Sequence, residues 1–247
     1  HEFLREAVAA GAGAVVVHDA RLAATLGVPV FEVADTLIAL GMLARYRRLA
    51  WARPVIAVGG SNGKTSTKEM LALTLGTRFR VHATRANLNN LIGVPLTILE
   101  APADTEALVI EAGASVPGEI ARYRQIVEPT VAVVTNVAAG HLEGFGSLEG
   151  VLREKLSLVE SAPLAVVGTD PPALAAGARE LARRVVTAGL EGAELRPESV
   201  TLDPATTHVF LCGNPAMIGL PADGPDGSPV FPDTTGVVEL LTKQGFN

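Results

Sequence analysis
The chain is poor in residue types that would commit it to several common classes. Among its 247 residues is one cysteine, Cys212, so no disulfide framework can form within it, and a reducing cytoplasm is the expected setting. Aromatic residues make up 4%, the formal net charge is −6, and the basic residues form no cluster. Nucleic-acid surfaces are built on basic stripes, with rings on which bases stack, so nucleic acid is not an expected partner. No apolar run approaches the roughly 20 residues that a membrane-crossing helix needs, and the first residues show no secretory pattern. The expectation is a cytoplasmic monomer with no membrane partner. The chain starts at His1, within a helical pattern, and reads as an internal fragment.

What is present is material for a core: 48% of residues are hydrophobic and 19% charged, which argues against disorder. The length suffices for one large or two modest domains. Residues 2–10 are amphipathic, strands are expected at 14–17 and 28–33, and a longer helix runs from Asp35 to Arg48. Pro54 breaks that helix from the next strand, placing a boundary near Trp51. The first fifty residues are too few to hold a core alone and read as the end of a partial N-terminal α/β domain. From Pro54 the pattern alternates. A strand at 55–58 leads to a helix from Lys64 to about Leu75. After a loop come helix 92–100, strand 107–111, a helix opened by Pro117, strand 130–134, helix 148–160 and strand 163–167. Strands apolar throughout are buried on both faces, which implies an α/β fold with a mostly parallel sheet covered by helices. Ligands of such sheets sit beyond the carboxyl ends of the strands.

The stretch Val55 to Thr67 is the centre of that pattern: an apolar run, the turn Gly59-Gly60-Ser61-Asn62-Gly63, then Lys64, Thr65 and Ser66 opening a helix. Such a loop can turn backbone N–H groups and a helix N-terminus toward phosphate, with lysine neutralising charge and a hydroxyl reaching magnesium. Val58 stands where the common spacing has its first glycine, so a plain strand-turn-helix is the competing reading. Glu111 and the loop Asn136 to His141 also follow carboxyl ends of strands, and a parallel sheet puts all three features on one edge. Glu111 closes an apolar strand, either as a magnesium ligand or as a cap on the turn before Pro117. His141 is either a turn residue or a ligand, and its edge favours the second. Lys155 has Val151, Leu152, Leu158 and Val159 three and four residues away, which puts it on a buried helix face. It either snorkels to water or loses its proton and reacts with carbon dioxide to give an anionic carbamate. Asn87 to Asn90 either bind phosphate or sugar or serve as local turn and cap residues.

Together these motifs resemble the Mur ligase family. Gly60-Ser61-Asn62-Gly63-Lys64-Thr65 is similar to its phosphate loop, whose short spacing accounts for Val58, although Gly59 stands where the family usually has threonine. Asn87-Leu88-Asn89-Asn90 with Ile92-Gly93-Val94-Pro95, the run Ile110 to Ala114, and His141 to Ser147 match as well. The resemblance implies a P-loop central domain over residues 51–202 that binds ATP through residues 60–66, with Asn89 or Asn90 near the phosphates. It further implies that Lys64 binds the β- and γ-phosphates, that Thr65 and Glu111 hold one magnesium ion, and that Glu111, His141 and carbamylated Lys155 hold a second. The implied chemistry is ATP-dependent amide formation through an acyl phosphate. The match is to the branch joining D-alanyl-D-alanine to UDP-N-acetylmuramoyl-tripeptide. Family members are about twice this length, in three domains, and no copy of their late Gly-x-His-Asn-type motif follows residue 200. Residues 203–247 change character: Cys212-Gly213-Asn214-Pro215-Ala216-Met217 resembles the C-terminal strand of ferredoxin–NADP reductases, and this segment is expected to be a foreign tail with a strand at 208–212 and a helix at 233–245. Ligation by this chain alone is not expected.

Overall fold
A computed structural model describes residues 2–140, 142–190 and 192–196, together with the backbone at 222–223 and 229–230. His141 and the expected tail elements at 208–212 and 233–245 lie outside the described residues. The chain divides into two compact units, His1–Ala188 and Gly189–Asn247. In the second, β9 (Ala222–Asp223) pairs antiparallel with β10 (Pro229–Val230).

The first unit begins with α1 (Leu4–Ala9), β1 (Val15–Val17), a 3-10 turn at Ala20–Ala23 and β2 (Val30–Glu32). The two strands pair in parallel over a small core of Val15, Val17 and Ala23, against which Leu4 and Val8 pack. Helix α2 (Thr36–Ala50) starts where the Asp35 carboxylate accepts the N–H groups of Leu37 (2.7 Å) and Ile38 (3.0 Å), a capping arrangement the sequence signals. It packs on α4 (Gly93–Glu100) and α5 (Glu119–Val127), with Ala44 inside the main core. The buried Arg48 guanidinium fastens it there, donating to the carbonyls of Val127 (2.8 Å), Glu128 (3.0 Å) and Trp51 (3.0 Å). Those carbonyls lie at helix ends, where no intrahelical donor remains for them.

The principal sheet has six parallel strands in the order β4-β5-β3-β6-β7-β8: β3 (Val55–Gly59), β4 (Val81–Ala83), β5 (Ala107–Glu111), β6 (Val131–Val134), β7 (Leu164–Gly168) and β8 (Val185–Ala188). The parallel α/β fold is as expected. Both β3 and β5 are buried along their whole length. In contrast, β6 and β7 alternate, with Val131, Val133, Leu164 and Val166 only half-buried. The reason is the position of α3 (Lys64–Gly76), which packs Leu71 and Leu75 over Ile56, Val58 and Val109 of the central strands. On the other face, α4, α5, α7 (Leu148–Leu156) and α8 (Pro172–Leu181) cover the main core. The short α6 (Leu142–Phe145) precedes α7 and contributes Phe145 to that core.

Several boundaries depart from expectation for local reasons. Strand β4 falls in a stretch expected as loop; an edge strand of three residues is too short to show alternation. Both α8 and β8 were absent from the expected elements. Helix α7 ends at Leu156 rather than at 160, where the Ser157 hydroxyl donates to the Glu154 carbonyl (2.6 Å) and competes with further helix. Helix α5 starts at Glu119, two residues past Pro117, because the Glu119 carboxylate accepts the N–H groups of Ser115 (2.8 Å) and Val116 (3.1 Å) and holds them in a turn.

Candidate nucleotide and metal site
The register places the expected groups on one edge. Val58 of β3 lies beside Glu111 of β5, and Gly59 beside Val134 of β6, so the turn after β3 sits between the ends of its two neighbours. Gly60 adopts φ +131°, and a Cβ there would lie 2.1 Å from the Thr135 hydroxyl oxygen, so the turn admits no side chain at this position. The loop is tied to the segment after β6 by a ladder of polar contacts. Ser61 N–H donates to the Asn136 carbonyl (3.0 Å), and Asn62 N–H to Asn136 Oδ1 (3.0 Å). The Thr135 hydroxyl donates to the Asn62 carbonyl (2.6 Å), and Ser61 Oγ accepts Ala138 N–H (3.0 Å) while donating to its carbonyl (3.1 Å). These bonds fix a short glycine turn that would otherwise be floppy.

Lys64 opens α3 and folds back so that its ammonium donates to the Ser61 carbonyl (2.9 Å). Burial pushes its pKa down, and the Glu111 carboxylate pulls it up again, so the two charges lie within each other's field. Thr65 and Ser66 are exposed in the first turn of α3, open to a ligand.

Glu111 is 2% exposed. Its Oε1 accepts Asn89 Nδ2–H (2.9 Å), its N–H donates to Thr84 Oγ1 (2.9 Å), and its Oε2 is buried with no hydrogen-bond partner. A buried carboxylate oxygen without a donor is costly, and a cation is the natural way to satisfy it. The alternative of a cap on the turn before Pro117 does not hold geometrically, because Glu119 fills that role. Among the described residues no three His, Cys, Asp or Glu side chains gather as a metal site. Magnesium suits such a sparse edge, since it is usually bound through one or two carboxylates plus substrate phosphates. The orphaned oxygen therefore fits that ion.

Lys155 is 4% exposed on α7, with its ammonium 5.7 Å from the centre of the Phe145 ring. Stem and head together are withdrawn from water, so snorkelling does not describe it. Burial first, and then the positive charge of Lys64, push its pKa down from 10.5 to about 8; Glu154 and Glu119 oppose this. Glu154, though adjacent, is occupied in capping α5, its two oxygens accepting Gly118 N–H (2.8 Å) and Ile120 N–H (2.8 Å).

The asparagine loop divides between its two readings. Asn89 reaches the site by bonding Glu111, and a side chain at Gly113 would press on its carboxamide at 2.9 Å. Asn90 Oδ1 instead accepts the N–H groups of Ile92 (3.1 Å) and Gly93 (2.8 Å) and starts α4. Sequence reasoning missed Thr84 and Thr135, single hydroxyls with no pattern to mark them. It also missed Lys68, whose burial was signalled by Leu71, Ala72 and Leu75 at helical spacing. A cavity of about 630 Å³ opens at the opposite, amino edge beside Pro129 and Pro163. Its charges cancel as the pairs Arg45–Glu128 and Arg124–Glu160, and it lies away from the phosphate-type loop.

A parallel sheet with a glycine loop, a lysine and a carboxylate on its carboxyl edge is the architecture of a P-loop-type α/β domain. The pattern of the Mur ligase middle domain matches residues 58–218, more than half of the chain, and the chain belongs to that family. It is 40% identical over 175 residues to UDP-N-acetylmuramoyl-tripeptide–D-alanyl-D-alanine ligase of Bacillus subtilis (strain 168), covering 69% of this chain and 38% of the relative. The Escherichia coli (strain K12) ligase of the same description is 41% identical over 173 residues, with the same coverage of 69% and 38%. Among solved structures, MurF from Acinetobacter baumannii superposes with a TM-score of 0.74 at 34% identity, over 83% of this chain and 45% of that one. MurF ligase from Thermotoga maritima in complex with ADP gives 0.68 at 34%, over 78% and 45%. The chain thus spans less than half the length of these relatives.

Proposed function
We propose that this chain carries the ATP and magnesium edge of a peptidoglycan-precursor ligase, the activity that joins D-alanyl-D-alanine to UDP-N-acetylmuramoyl-tripeptide. The observation that carries this reading is the unpartnered Glu111 Oε2, buried beside a glycine loop whose Lys64 lies within its field. Family membership and the ligases named above support it.

The residues have separable tasks. The turn at residues 60–63, held by Thr135 and Asn136, fixes the start of α3, whose N-terminus would face phosphate. When ATP enters, Lys64 exchanges the Ser61 carbonyl for phosphate oxygens. Glu111, kept in one orientation by Asn89, and the Thr65 hydroxyl would hold magnesium, which supplies positive charge against the repulsion between triphosphate and substrate carboxylate. In the full ligase reaction that carboxylate would attack the γ-phosphorus with ADP leaving, and the dipeptide amine would displace phosphate from the acyl phosphate, giving up a proton as the amide forms.

Lys155 is suited to carbamylation, because its lowered pKa gives a share of neutral amine near pH 8. The nitrogen bonds to the carbon of carbon dioxide, one C=O pair moves to oxygen, and the nitrogen releases a proton. The anionic carbamate would answer the charge of Lys64 and offer oxygen to a second magnesium, for which His141 is the further proposed ligand. A cytoplasmic, monomeric chain acting on small molecules is part of the same proposal.

The test mixes the chain with ATP, magnesium, UDP-N-acetylmuramoyl-tripeptide and D-alanyl-D-alanine. The expected result is ATP binding without ligated product from these 247 residues alone. Robust turnover would overturn the second half of that statement, and no ATP binding at millimolar concentration would overturn the first.

A further inference from the structure
Lys68 lies four residues, about one turn, beyond Lys64 on α3, and it is 0% exposed. An ammonium so placed must be hydrogen-bonded, and this one is: it donates to the Thr84 carbonyl (2.9 Å) and to Glu69 Oε1 (2.5 Å). Thr84 follows the edge strand β4 and is 2% exposed. Its N–H extends the sheet ladder to the Val109 carbonyl (2.9 Å), and its hydroxyl oxygen accepts the Glu111 N–H (2.9 Å). A continuous line of bonds therefore runs from the helix that carries Thr65, through Lys68 and Thr84, to the strand residue that carries the orphaned carboxylate.

We propose that Lys68 is a positioning residue for the divalent cation: through Thr84 it sets the distance between the Thr65 hydroxyl on α3 and the Glu111 carboxylate on β5. The two groups sit on different elements, and α3 meets β5 mainly through apolar contacts, which resist separation but allow sliding. A directional bond from a buried ammonium to a strand-end carbonyl removes that freedom. Magnesium demands near-ideal octahedral geometry at short distances, so a small slip of the helix would be felt in metal affinity before it was felt in phosphate binding. This inference rests on the ATP and magnesium reading of the site.

The experiment measures the ATP dissociation constant by calorimetry with magnesium and with EDTA, in wild type, Lys68→Met, Thr84→Val and Thr84→Ser. The readout is the ratio of the two constants. Lys68→Met and Thr84→Val are expected to reduce the gain from magnesium by about tenfold, with affinity in EDTA changed by less than about twofold, and Thr84→Ser to restore the wild-type ratio. Thr84→Val keeps the carbonyl that Lys68 uses and breaks only the bond from Thr84 to Glu111; if Lys68→Met does not fold, Lys68→Gln takes its place with the same expectation. A ratio unchanged in the variants, or a parallel loss in magnesium and EDTA, overturns the proposal. A wild type whose affinity ignores magnesium overturns the underlying reading of the site instead.

Discussion

Replacing Lys155 by methionine should stabilise the protein at neutral pH. Methionine keeps the length and most of the volume of the stem but carries no charge. Burial lowers the lysine from 10.5 to about 8, and at about 1.4 kcal/mol per pH unit this corresponds to about 3 kcal/mol of destabilisation while the amine is protonated. Against it stands the loss of the ammonium contact with the Phe145 ring at 5.7 Å, worth about 0.5–2 kcal/mol. The desolvation is the larger quantity, so the net gain at pH 7 is about 1–3 kcal/mol. For a chain of this size that corresponds to a rise in melting temperature of about 2–10 °C. The sign of the pH dependence is set by the direction of the shift. Between the folded value near 8 and the ordinary value of 10.5, the unfolded chain binds a proton that the folded chain lacks, so wild-type stability rises with pH. The penalty is full below 8 and gone above 10.5, and the advantage of Lys155→Met should shrink across that window. The assay is thermal unfolding of both proteins in carbon-dioxide-free buffer at pH 7 and pH 10. A variant less stable than wild type at pH 7, by the same margin at pH 10, would show that the buried charge is not destabilising.

Two further substitutions probe the frame of the site. Gly60→Ala combines a φ of +131° with a Cβ placed 2.1 Å from Thr135 Oγ1, and should lower stability by about 2–4 kcal/mol in urea titration; a change under about 0.5 kcal/mol would contradict the loop geometry. Glu154→Ala strips the acceptors from Gly118 N–H and Ile120 N–H and should cost about 2–4 kcal/mol, with faster hydrogen exchange at those two amides. Protection unchanged at both positions would show that the cap is not what starts α5.

The parallel sheet was legible because β3 and β5 are apolar up to their last residues, and because glycine and proline mark the turns between them. Edge elements were not, since β4 is three residues long and carries no alternation. The buried cation on α7 was readable from its apolar neighbours at helical spacing, and the same reasoning applied to Lys68 would have found the second one. Glu111 was legible as a misplaced charge on an apolar strand. Its partners were not: Asn89 and Thr84 come from loops distant in sequence, and only the fold brings them within 2.9 Å of it. The two asparagines that look alike in sequence, Asn89 and Asn90, separate only when one turns toward Glu111 and the other caps α4.

We propose that Glu111 and the glycine loop form one site for ATP with magnesium. The most direct measurement is an ATP titration of wild type and Glu111→Gln in the presence of magnesium. Wild type is expected to bind well below millimolar, Glu111→Gln about tenfold or more weaker, and the two equally once EDTA removes the metal. Wild type that binds no ATP at millimolar concentration, or a variant that binds as tightly as wild type with magnesium, would contradict it.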